Sequence, residues 1–467
     1  MGRVANFLVF LFLCTHNLLS QVDAHYWTHQ YGAQGLLLNG AVLASTQGET
    51  ALFYNPGATG MAAQGFELSF ISPNYSQLKT RNLLGKNNEI LSRRFDNGSG
   101  FVGVTFKPKK EKKITLGLST FQRYRSDISY TERVVAPINE AQTLLFRGDL
   151  DFERKLSERW VGLSIAYNIT VGLGIGLSQF STFHSQDTRF DFEREIISSF
   201  DPNEIIQSWR SEFNYGLSTF SGFISKLGLS YRTAAIRLGL TYTSPEYGAI
   251  RRTGDYALED QRINVLAGTN QTVSNRSESV PVKRKSPASY GFGIDLLTES
   301  GTYSISAEYF SQIPRYTSLQ DIDDPFDSQI NEGVPTEVEI IEGNNSVFNF
   351  AIGAEQIVSE KFTMICGFRT DLDPSNRIAI NDLPEYLGTI GNVYHVSGGG
   401  LFMRGKNNFS LGVDIGYGKN NGGQQLANFT NIDQNSLFEQ RGEPTVTTNF
   451  FAVMVFFTYD FIFDSWR

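Results

Sequence analysis

The sequence predicts an all-β protein, a transmembrane antiparallel β-barrel of about fourteen strands with an N-terminal hatch, or plug, in its lumen. Three observations predict this fold: a leader for export, apolar residues that alternate with small or polar ones along most of the chain, and connections that alternate between short and long. The expected organisation is a signal peptide at 1–24, the hatch at 25–64 and the barrel at 65–467.

The first residues have the features of a secretory signal peptide. Arg3 precedes an apolar run from Phe7 to Cys14, and Val22-Asp23-Ala24 has the small residues that favour cleavage before His25. The apolar run is much shorter than the ~20 residues that a spanning helix needs, and no later run reaches that length. An exported chain of this kind is either soluble or inserted in a membrane as a barrel.

Composition excludes several classes of protein. The net charge is -8 and the cations form no basic face, which argues against nucleic acid as a partner. Removal of the leader leaves Cys366 as the only cysteine, so the fold does not depend on an internal disulfide. No motif for a nucleotide or for proton coupling is recognisable, so we expect no cofactor and no energy coupling in this chain.

Apolar residues alternate with small or polar residues in segment after segment. In one segment Val161, Leu163, Ile165 and Tyr167 alternate with Gly162, Ser164 and Ala166, and in the next Val171, Leu173, Ile175 and Leu177 alternate with Gly172, Gly174, Gly176 and Ser178. A period of two residues is the signature of a β-strand with two different faces. Because a soluble β-sandwich also alternates, the connection lengths have to distinguish the two folds.

The connection lengths favour the barrel, because outer-membrane barrels have short periplasmic turns and long external loops. The predicted strands are 65–76, 98–107, 113–130, 148–168, 171–186, 212–232, 235–253, 286–297, 302–314, 346–356, 361–371, 392–404, 408–418 and 446–461. The gaps between them are alternately long and short. An even number of strands returns both termini to the periplasm, so we expect a multi-pass protein of the outer membrane of a Gram-negative bacterium.

The lipid environment makes further demands on such a barrel. Every backbone polar group has to be paired within the protein, which strands achieve only by closing into a barrel. Five tyrosines near predicted strand ends are expected in the aromatic girdles at the membrane interfaces: Tyr242, Tyr247, Tyr309, Tyr417 and Tyr459. The expected partners are outer-membrane lipid, lipopolysaccharide and the barrel assembly machinery. A monomer is the simplest state, and the sequence leaves the oligomeric state open.

The segment 25–64 does not alternate, yet it carries the apolar clusters Leu36-Leu37-Leu38 and Leu52-Phe53-Tyr54, which need burial. The barrel lumen offers that burial. The segment continues into Asn55-Pro56-Gly57, where an Asn-Pro turn would fix the re-entry of the chain into the first strand. Asn55, Pro56 and Gly57 are therefore the candidate gating residues of the hatch.

With these features in this order, the chain resembles the FadL-type family of outer-membrane transporters of long-chain fatty acids and other hydrophobic compounds. Members end their hatch in an aromatic-x-Asn-Pro-Ala-Gly phrase; Phe53 to Pro56 matches it, and Gly57-Ala58 swaps the two small residues. The other matching segments are Gly228 to Arg232, Arg237 to Tyr242, Pro287 to Gly291, Gly367 to Asp371 and Leu383-Pro384. The resemblance implies passive uptake of hydrophobic small molecules, with capture by apolar external loops and release gated by the hatch.

The sequence offers candidates for capture and for the lumen. The predicted loop 187–211 carries Ile196, Ile197, Phe200, Ile206 and Trp209 at spacings that suit short amphipathic helices. Such helices either expose an apolar capture surface outside the cell or pack on their neighbours. In the last strand Phe450, Met454 and Phe456 share one face, which predicts an unusually apolar lumen side there.

The third predicted strand shows a change of parity. Ile114, Leu116 and Leu118 fall on one face and Phe121 on the other, so either a bulge lies at Ser119-Thr120 or the register is misread. The family resemblance implies a kinked third strand and a gap in the wall beside it, through which substrate leaves sideways.

Two further kinds of site are weighed against transport. His184 and His395 have Ser185 and Ser397 close by, but no carboxylate lies at a diagnostic spacing, so we expect no enzyme. The acidic run Asp321, Asp323, Asp324 and Asp327 lacks the spacing of a calcium loop, so we expect no metal site. The main alternative function is a partner-binding barrel subunit of a protein secretion or cell-surface assembly system.

Overall fold

A computed structural model describes residues 25–45, 48–96, 100–108, 113–320, 339–375, 391–423, 425–429, 432 and 445–463. The predicted signal peptide lies outside these residues. The described residues contain three short helices, α1 (Gly32–Leu37), α2 (Ala51–Tyr54) and α3 (Pro56–Thr59), all in the segment that we call the hatch, 25–64. None of the helices in this part of the chain is long and apolar enough to cross a membrane.

Strands make up most of the described chain after the hatch. The first nine are β1 (Gly65–Arg81), β2 (Glu89–Asp96), β3 (Phe101–Phe106), β4 (Ile114–Pro137), β5 (Leu144–Asn168), β6 (Leu173–Ser198), β7 (Ile205–Arg232), β8 (Ile236–Thr243) and β9 (Tyr247–Asn264). The others are β10 (Thr269–Pro281), β11 (Ser289–Leu297), β12 (Gly301–Phe310), β13 (Ile313–Gln320), β14 (Glu339–Asn344), β15 (Val347–Ser359), β16 (Phe362–Asp371), β17 (Asn392–Arg404), β18 (Asn407–Gly423) and β19 (Val446–Ile462).

These strands form a closed barrel. A 17-stranded antiparallel sheet closes on itself because β1 pairs with β19, from Gly65 opposite Ile462 to Arg81 opposite Thr447. β13 and β14 form a separate two-stranded sheet. Five crossings of the barrel are interrupted and consist of two strands each: β2 with β3, β8 with β9, β10 with β11, β12 with β13, and β14 with β15. The result is a 14-strand barrel, which confirms the predicted fold class.

The two faces of the alternating segments have opposite surroundings. On β5 the side chains of Leu163 and Ile165 point outward and are 64% and 47% exposed, whereas Ser164 and Ala166 are buried inside. The apolar face is therefore the outer belt that contacts lipid, and the small or polar face lines the lumen. This division holds around the barrel, where exposed Leu, Ile, Val and aromatic side chains recur on the outer face.

Aromatic side chains border the apolar belt. Tyr242, Tyr290 and Tyr309 are consecutive cross-strand neighbours on β8, β11 and β12, and Tyr417 is the cross-strand neighbour of Tyr394. At the opposite end Tyr459 donates a hydrogen bond to Asn407, beside the short turn at 405–406. A closed barrel with an apolar belt and aromatic borders is the architecture of a protein of the Gram-negative outer membrane.

At the short turns the predicted strand ends agree with the structure. At the opposite, external end most of the predicted strands stop several residues too early. The segment 187–211, predicted as a loop with short helices, belongs to the hairpin of β6 and β7, which turns at 199–204. The predicted loops at 254–285 and 315–345 likewise contain β10, β13 and β14. Beyond the membrane the strands continue with charged side chains on their outer face. In a sequence such charged residues are typical of a loop. We call this part of β4 to β10, comprising 124–157, 184–218 and 251–281, the outer extension.

The predicted bulge is also displaced. The register between β4 and β5 shifts between Gln122 and Tyr124, so the bulged residue is Arg123, whereas Ser119 and Thr120 pair regularly. The change of parity has a different cause, because Phe121 faces the lumen, where its ring lies 4.9 Å from those of both Tyr31 and Phe53. The parity therefore reflects packing against the hatch, and the bulge turns Arg123 inward.

The belt assignment gives a testable difference between two exposed positions. Leu163→Arg should lower the free energy of unfolding in lipid vesicles by about 2–4 kcal/mol, because it places a charge in the hydrocarbon region. Val135, 58% exposed on the outer extension, is the matched control, and Val135→Arg should leave the free energy of unfolding almost unchanged. Equal losses for the two variants in an equilibrium unfolding titration would contradict the placement of the belt.

Candidate functional site

The Asn-Pro turn of the hatch rests directly on the inner wall of the barrel. The Asn55 side-chain amide donates to the carbonyls of Leu43 at 2.9 Å and Leu229 at 3.1 Å, and its oxygen accepts from the Gly57 N–H at 3.1 Å, capping α3. A Cβ on Gly176 would lie 2.2 Å from the Pro56 carbonyl oxygen, and a Cβ on Gly228 would lie 2.2 Å from Asn55 Oδ1. The glycine side of the alternating strands is thus the seat of the hatch.

A carboxylate from the wall holds the hatch from another side. Glu67 of β1 is buried and accepts hydrogen bonds from the backbone N–H groups of Ala33 and Thr50, each at 3.2 Å. The hatch approaches it through Gly32 and Gly48, which have φ of +71° and +93°. A Cβ on Gly32 would lie 2.1 Å from Glu67 Oε1, so a side chain there would expel the carboxylate.

The N-terminal end of the hatch is anchored to β16. Asp371 accepts hydrogen bonds from the Trp27 N–H at 3.0 Å and the Thr28 hydroxyl at 2.9 Å, and its backbone carbonyl lies 3.0 Å from His25 Nδ1. Burial opposes a charge on His25, but the Asp371 carboxylate prevails and raises the pKa of His25 above its ordinary value. Arg369 adds hydrogen bonds to Thr28 O and Asn39.

A cavity of about 480 Å³ lies in the lumen between the hatch and the outer extension. The hatch side chains Tyr26, Trp27 and Phe53 form its floor, and Trp160 and Phe310 stand in its wall. Tyr26 stacks on Phe310 with 4.5 Å between ring centroids. The cavity has room for an apolar small molecule and offers it aromatic surfaces.

Two cations lie within this aromatic surround. The Lys226 ammonium group is 4.9 Å from the centroid of the Phe53 ring, and the side chain is only 4% exposed. The Arg123 guanidinium, turned inward by the bulge, stacks near the rings of Tyr124 and Trp160 and donates to the Tyr26 carbonyl. These cations face the cavity beside its apolar surface, so the cavity is amphipathic.

Arg284 ties the two sides of the cavity together. It lies in the interruption between β10 and β11, and its guanidinium donates to Glu158 of β5 and to Glu246, which lies between β8 and β9. Glu246 also binds Arg252 at 2.7 Å. The Trp160 indole N–H donates to Glu158 at 2.5 Å. Each of the two carboxylates, Glu158 and Glu246, has a cation or an N–H donor as partner. This side of the cavity is therefore polar, and the charges of its carboxylates are already compensated within the protein.

A second apolar cluster lies toward the outer end of the described barrel. Leu83 and Leu84, between β1 and β2, are fully buried, as is Phe429, between β18 and β19. The two connections are joined by backbone hydrogen bonds from the Leu426 N–H to Leu83 O at 2.9 Å and from the Phe429 N–H to Leu84 O at 2.8 Å. We call these residues, 83–84 and 426–429, the outer cap. Sequence reasoning missed them, because their short apolar runs have no strand periodicity.

The predicted capture residues do not form an exposed patch. Ile196 and Ile197 lie on β6 and are buried inside the outer extension, and Ile206 packs against the same apolar cluster from β7. The Trp209 ring lies between two arginines. Its centroid is 3.9 Å from Arg194 Cζ and 4.3 Å from Arg262 Cζ. Phe200 is 84% exposed at the tip of the hairpin. The predicted apolar helix surface is therefore wrong, and these isoleucines line the interior of the outer extension.

The predicted lumen residues of the last strand point inward. Phe450 belongs to the outer apolar cluster, and Met454 and Phe456 belong to the cluster that surrounds the hatch. All three side chains are buried, and a Cβ on Gly412 would lie 2.4 Å from the Phe456 ring. Their part in transport stays a prediction.

The barrel wall has a seam beside the third crossing. β3 pairs with β4 as far as Phe101 opposite Phe121, but in the described residues no ladder joins β2 to β4 beyond that point. The edges are linked there by Arg94, which binds the Asp127 carboxylate at 2.6 Å. The seam begins next to Arg123, which lines the cavity.

The residues weighed for catalysis and metal binding have other roles or fall elsewhere. His395 Nδ1 lies 2.9 Å from Asp414, and the Ser397 hydroxyl donates to Leu37 O of the hatch at 2.8 Å, so the serine is not directed at the histidine. The acidic run at 321–327 lies outside the described residues. Within the described residues no group of acidic, histidine or cysteine side chains is arranged to hold a metal ion.

Comparison with solved structures identifies the fold. The chain is similar to a Pseudomonas aeruginosa FadL homologue, with a TM-score of 0.60 and 12% identity over 94% of this chain and 100% of that chain. It is also similar to the Pseudomonas putida toluene transporter TodX, with a TM-score of 0.58 and 13% identity over 95% and 99% of the two chains. The Ralstonia pickettii toluene transporter TbuX gives a TM-score of 0.53 and 12% identity, over 94% and 100%.

No family model matches the sequence, and no curated protein matches it. At 12% to 14% identity the likeness to these structures establishes the fold. It confirms the resemblance to the FadL type at the level of architecture, and two of these structural neighbours, TodX and TbuX, are toluene transporters.

The seat of the hatch predicts a leak when it is disturbed. Asn55→Ala removes three hydrogen bonds that fix the turn, so we expect a higher single-channel ion conductance in planar bilayers than for the unaltered protein. Deletion of 25–53 should raise the conductance further. Asn203→Ala, in the external turn of the β6–β7 hairpin, is the control and should leave conductance unchanged. Equal conductance of the Asn55 variant, the deletion and the unaltered protein would show that the hatch does not close the lumen.

Proposed function

We propose that the chain is an outer-membrane channel for the passive uptake of hydrophobic small molecules, with long-chain fatty acids as the favoured class. The observation that carries the proposal is the aromatic cavity between the hatch and the outer extension. Its size suits a small ligand, and its walls combine apolar surface with a few placed polar groups, as ligand sites do. The fold of the chain supports the same reading, since its structural neighbours include toluene transporters.

Lys226 favours an acidic amphiphile over a plain hydrocarbon. The lysine is buried at the cavity wall beside Phe53. Glu308, which also lines the cavity, is already hydrogen-bonded by the Trp27 indole at 2.7 Å and the Ser289 hydroxyl at 2.6 Å. A substrate carboxylate beside Lys226 would place its alkyl chain on the aromatic surface and compensate the buried ammonium charge.

The proposed entry lies at the outer cap. The cap presents apolar side chains in the outer mouth, and the buried isoleucines of β6 continue this surface down the interior of the outer extension. An apolar substrate that parts the cap exchanges water for apolar contacts at each step, so the path needs no energy source. Five residues were predicted to capture substrate: Ile196, Ile197, Phe200, Ile206 and Trp209. In this proposal the three isoleucines bind substrate from the interior of the outer extension, and there is no exposed capture patch.

The proposed exit lies at the seam between β2 and β4. The wall lacks a ladder there, and Arg123 reaches from its edge to the Tyr26 carbonyl of the hatch. A local shift of Tyr26 and Arg123 would join the cavity to the seam. The hatch residues Asn55, Pro56 and Gly57 would stay seated and act as the fixed end of that movement.

The charge at position 226 separates two substrate classes. In cells that lack other uptake routes, Lys226→Gln should lower the initial rate of uptake of a labelled long-chain fatty acid by about tenfold, since one charge-assisted contact contributes ~1.5 kcal/mol. Uptake of toluene through the same variant should change less than twofold. Lys155→Gln, on the exposed face of the outer extension, is the control and should alter neither rate.

Two results would contradict the proposal. If fatty acid and toluene uptake fall together in Lys226→Gln while the barrel folds normally, the lysine does not select acids. If cells with and without the gene take up several hydrophobic compounds equally, the chain is no transporter, and the partner-binding function in secretion or surface assembly becomes the better account.

A further inference from the structure

The small sheet of β13 and β14 stands apart from the barrel wall. Among the described strands these two pair only with each other, and no ladder joins them to the large sheet. Two isolated bridges attach them to neighbouring segments, Val282 with Leu319 and Asn344 with Ser375. We call the two strands β13 and β14 the lid.

The lid joins the wall through two short links at the same level. Phe310 and Val347 are the last cross-strand pair of β12 and β15, and a link of two residues separates each of them from the lid. Phe310 is also opposite Ser289, the first residue of β11, and Ser289 is opposite Thr243, the last residue of β8. Four neighbouring crossings are thus interrupted at one level. Two short links at one level form a hinge for the sheet beyond them.

The lid lies between two parts of the proposed path. Its residues Ile313, Tyr316 and Ile341 line the cavity. Leu319 and Ile340 are buried in the apolar cluster that also contains residues of the outer cap. The lid therefore separates the proposed entry at the outer cap from the cavity.

Single hydrogen bonds hold the lid against the segment 282–285. The Lys283 N–H donates to Ser318 O at 2.8 Å, and the Lys285 N–H donates to the Tyr316 hydroxyl at 3.0 Å. An edge held in this way separates at lower cost than a strand that leaves a continuous ladder.

The inner end of the lid contacts the hatch. Asn344, the last residue of β14, donates from its side-chain amide to the Tyr26 hydroxyl at 2.8 Å. Tyr26 belongs to the cavity floor, and its shift would open the proposed exit. A movement of the lid that breaks this bond also releases Tyr26.

We propose that the lid turns about its two links to admit substrate from the outer apolar cluster into the cavity, and that the bond from Asn344 to Tyr26 couples this movement to the hatch. When the lid turns away, Ile313 and Tyr316 leave the cavity, which then opens toward the apolar cluster. The role in admission rests on the proposed function, whereas the hinge is a property of the strands.

The bridge between the lid and the wall offers a place for a locking disulfide. The hydrogen bond from Lys283 to Ser318 makes Val282 and Leu319 a non-hydrogen-bonded pair of an antiparallel bridge. In such a pair the Cα atoms lie about 4.5 Å apart, within the range that a disulfide spans.

The test variant carries Val282→Cys and Leu319→Cys. Both it and the control also carry Cys366→Ala, which removes the only native cysteine after the predicted leader. The control carries Thr317→Cys and Ile341→Cys, a cross-strand pair within the lid, so its disulfide leaves the hinge free. Each variant is compared with itself in the oxidised and the reduced state. Heat-modifiable migration in gels checks that each barrel is folded.

The first measurement is uptake of a labelled long-chain fatty acid by cells. Oxidation should lower the initial rate of the test variant at least about tenfold, and reduction should restore it, because a locked hinge keeps the path closed. The control should change less than about twofold between the two states, because its disulfide does not join the lid to the wall. If the test variant takes up fatty acid equally in both states, above the rate of cells without the gene, the proposal is overturned.

The second measurement needs no substrate. In hydrogen exchange of the purified full chain in detergent, the amides of Lys283 and Lys285 should exchange at least about tenfold faster than those of β12, which has a ladder on each side. Oxidation of the test variant should slow these two amides, and oxidation of the control should not. Exchange as slow as that of β12 in the unaltered chain would overturn the hinge. Fast exchange without uptake in any variant would refute transport and leave the hinge standing.

A variant without cysteines tests the coupling to the hatch. Asn344→Ala removes the hydrogen bond to Tyr26 and should speed exchange at Lys283 by roughly threefold to tenfold, as loss of one such bond does. Asn203→Ala, in the turn of the β6–β7 hairpin, is the control and should leave this rate unchanged. Equal rates for the two variants would overturn the coupling.

Discussion

The fold depends on one constraint, that every backbone N–H and C=O in the membrane finds a partner within the protein. Closure of β1 on β19 meets it, since fifteen residue pairs join these two strands with one irregularity, between Ile71 and Asn74. Closure also fixes the faces: once the outer face meets lipid, alternation leaves every second side chain in the lumen.

The space inside the closed barrel decides which residues the inner face carries. Gly176, Gly228 and Gly239 let the hatch backbone approach the wall so closely that any Cβ would overlap Pro56, Asn55 or Leu43. Polar residues of the inner face then form hydrogen bonds with particular groups of the hatch. The Ser178 hydroxyl, for example, donates to Leu52 O at 2.6 Å. The small and polar face of the alternation is therefore a binding surface for residues 25–64, and the same strands serve lipid on one side and the hatch on the other.

The sequence predicts the features that depend on nearest neighbours along the chain. Alternation and the short turns predict the strands within the membrane. Apolar clusters without alternation predict the hatch. The outer extension escapes prediction because its inner face is apolar and its outer face is charged. The charged residues Asp187, Arg189 and Asp191 suggest a loop, although Phe190 and Phe192 alternate with them as in a strand. The cavity escapes prediction for a different reason. Glu158 lies on β5, Lys226 on β7 and Arg284 in the interruption between β10 and β11, and only the folding of the barrel brings these distant segments together.

The anchoring of the hatch restricts how a channel of this kind can open. Its hydrogen bonds reach β1 through Glu67, β7 through Leu229, β12 through Glu308 and Ser306, and β16 through Asp371. With each such bond contributing about 1 kcal/mol and bonds to charged groups somewhat more, removal of the whole hatch would cost on the order of 10 kcal/mol. That is comparable to the stability of an entire domain. The passage that we propose, without an energy source, therefore has to proceed by a local change. In that proposal the seam beside Arg123 is the favoured place, because the wall has no ladder to break there.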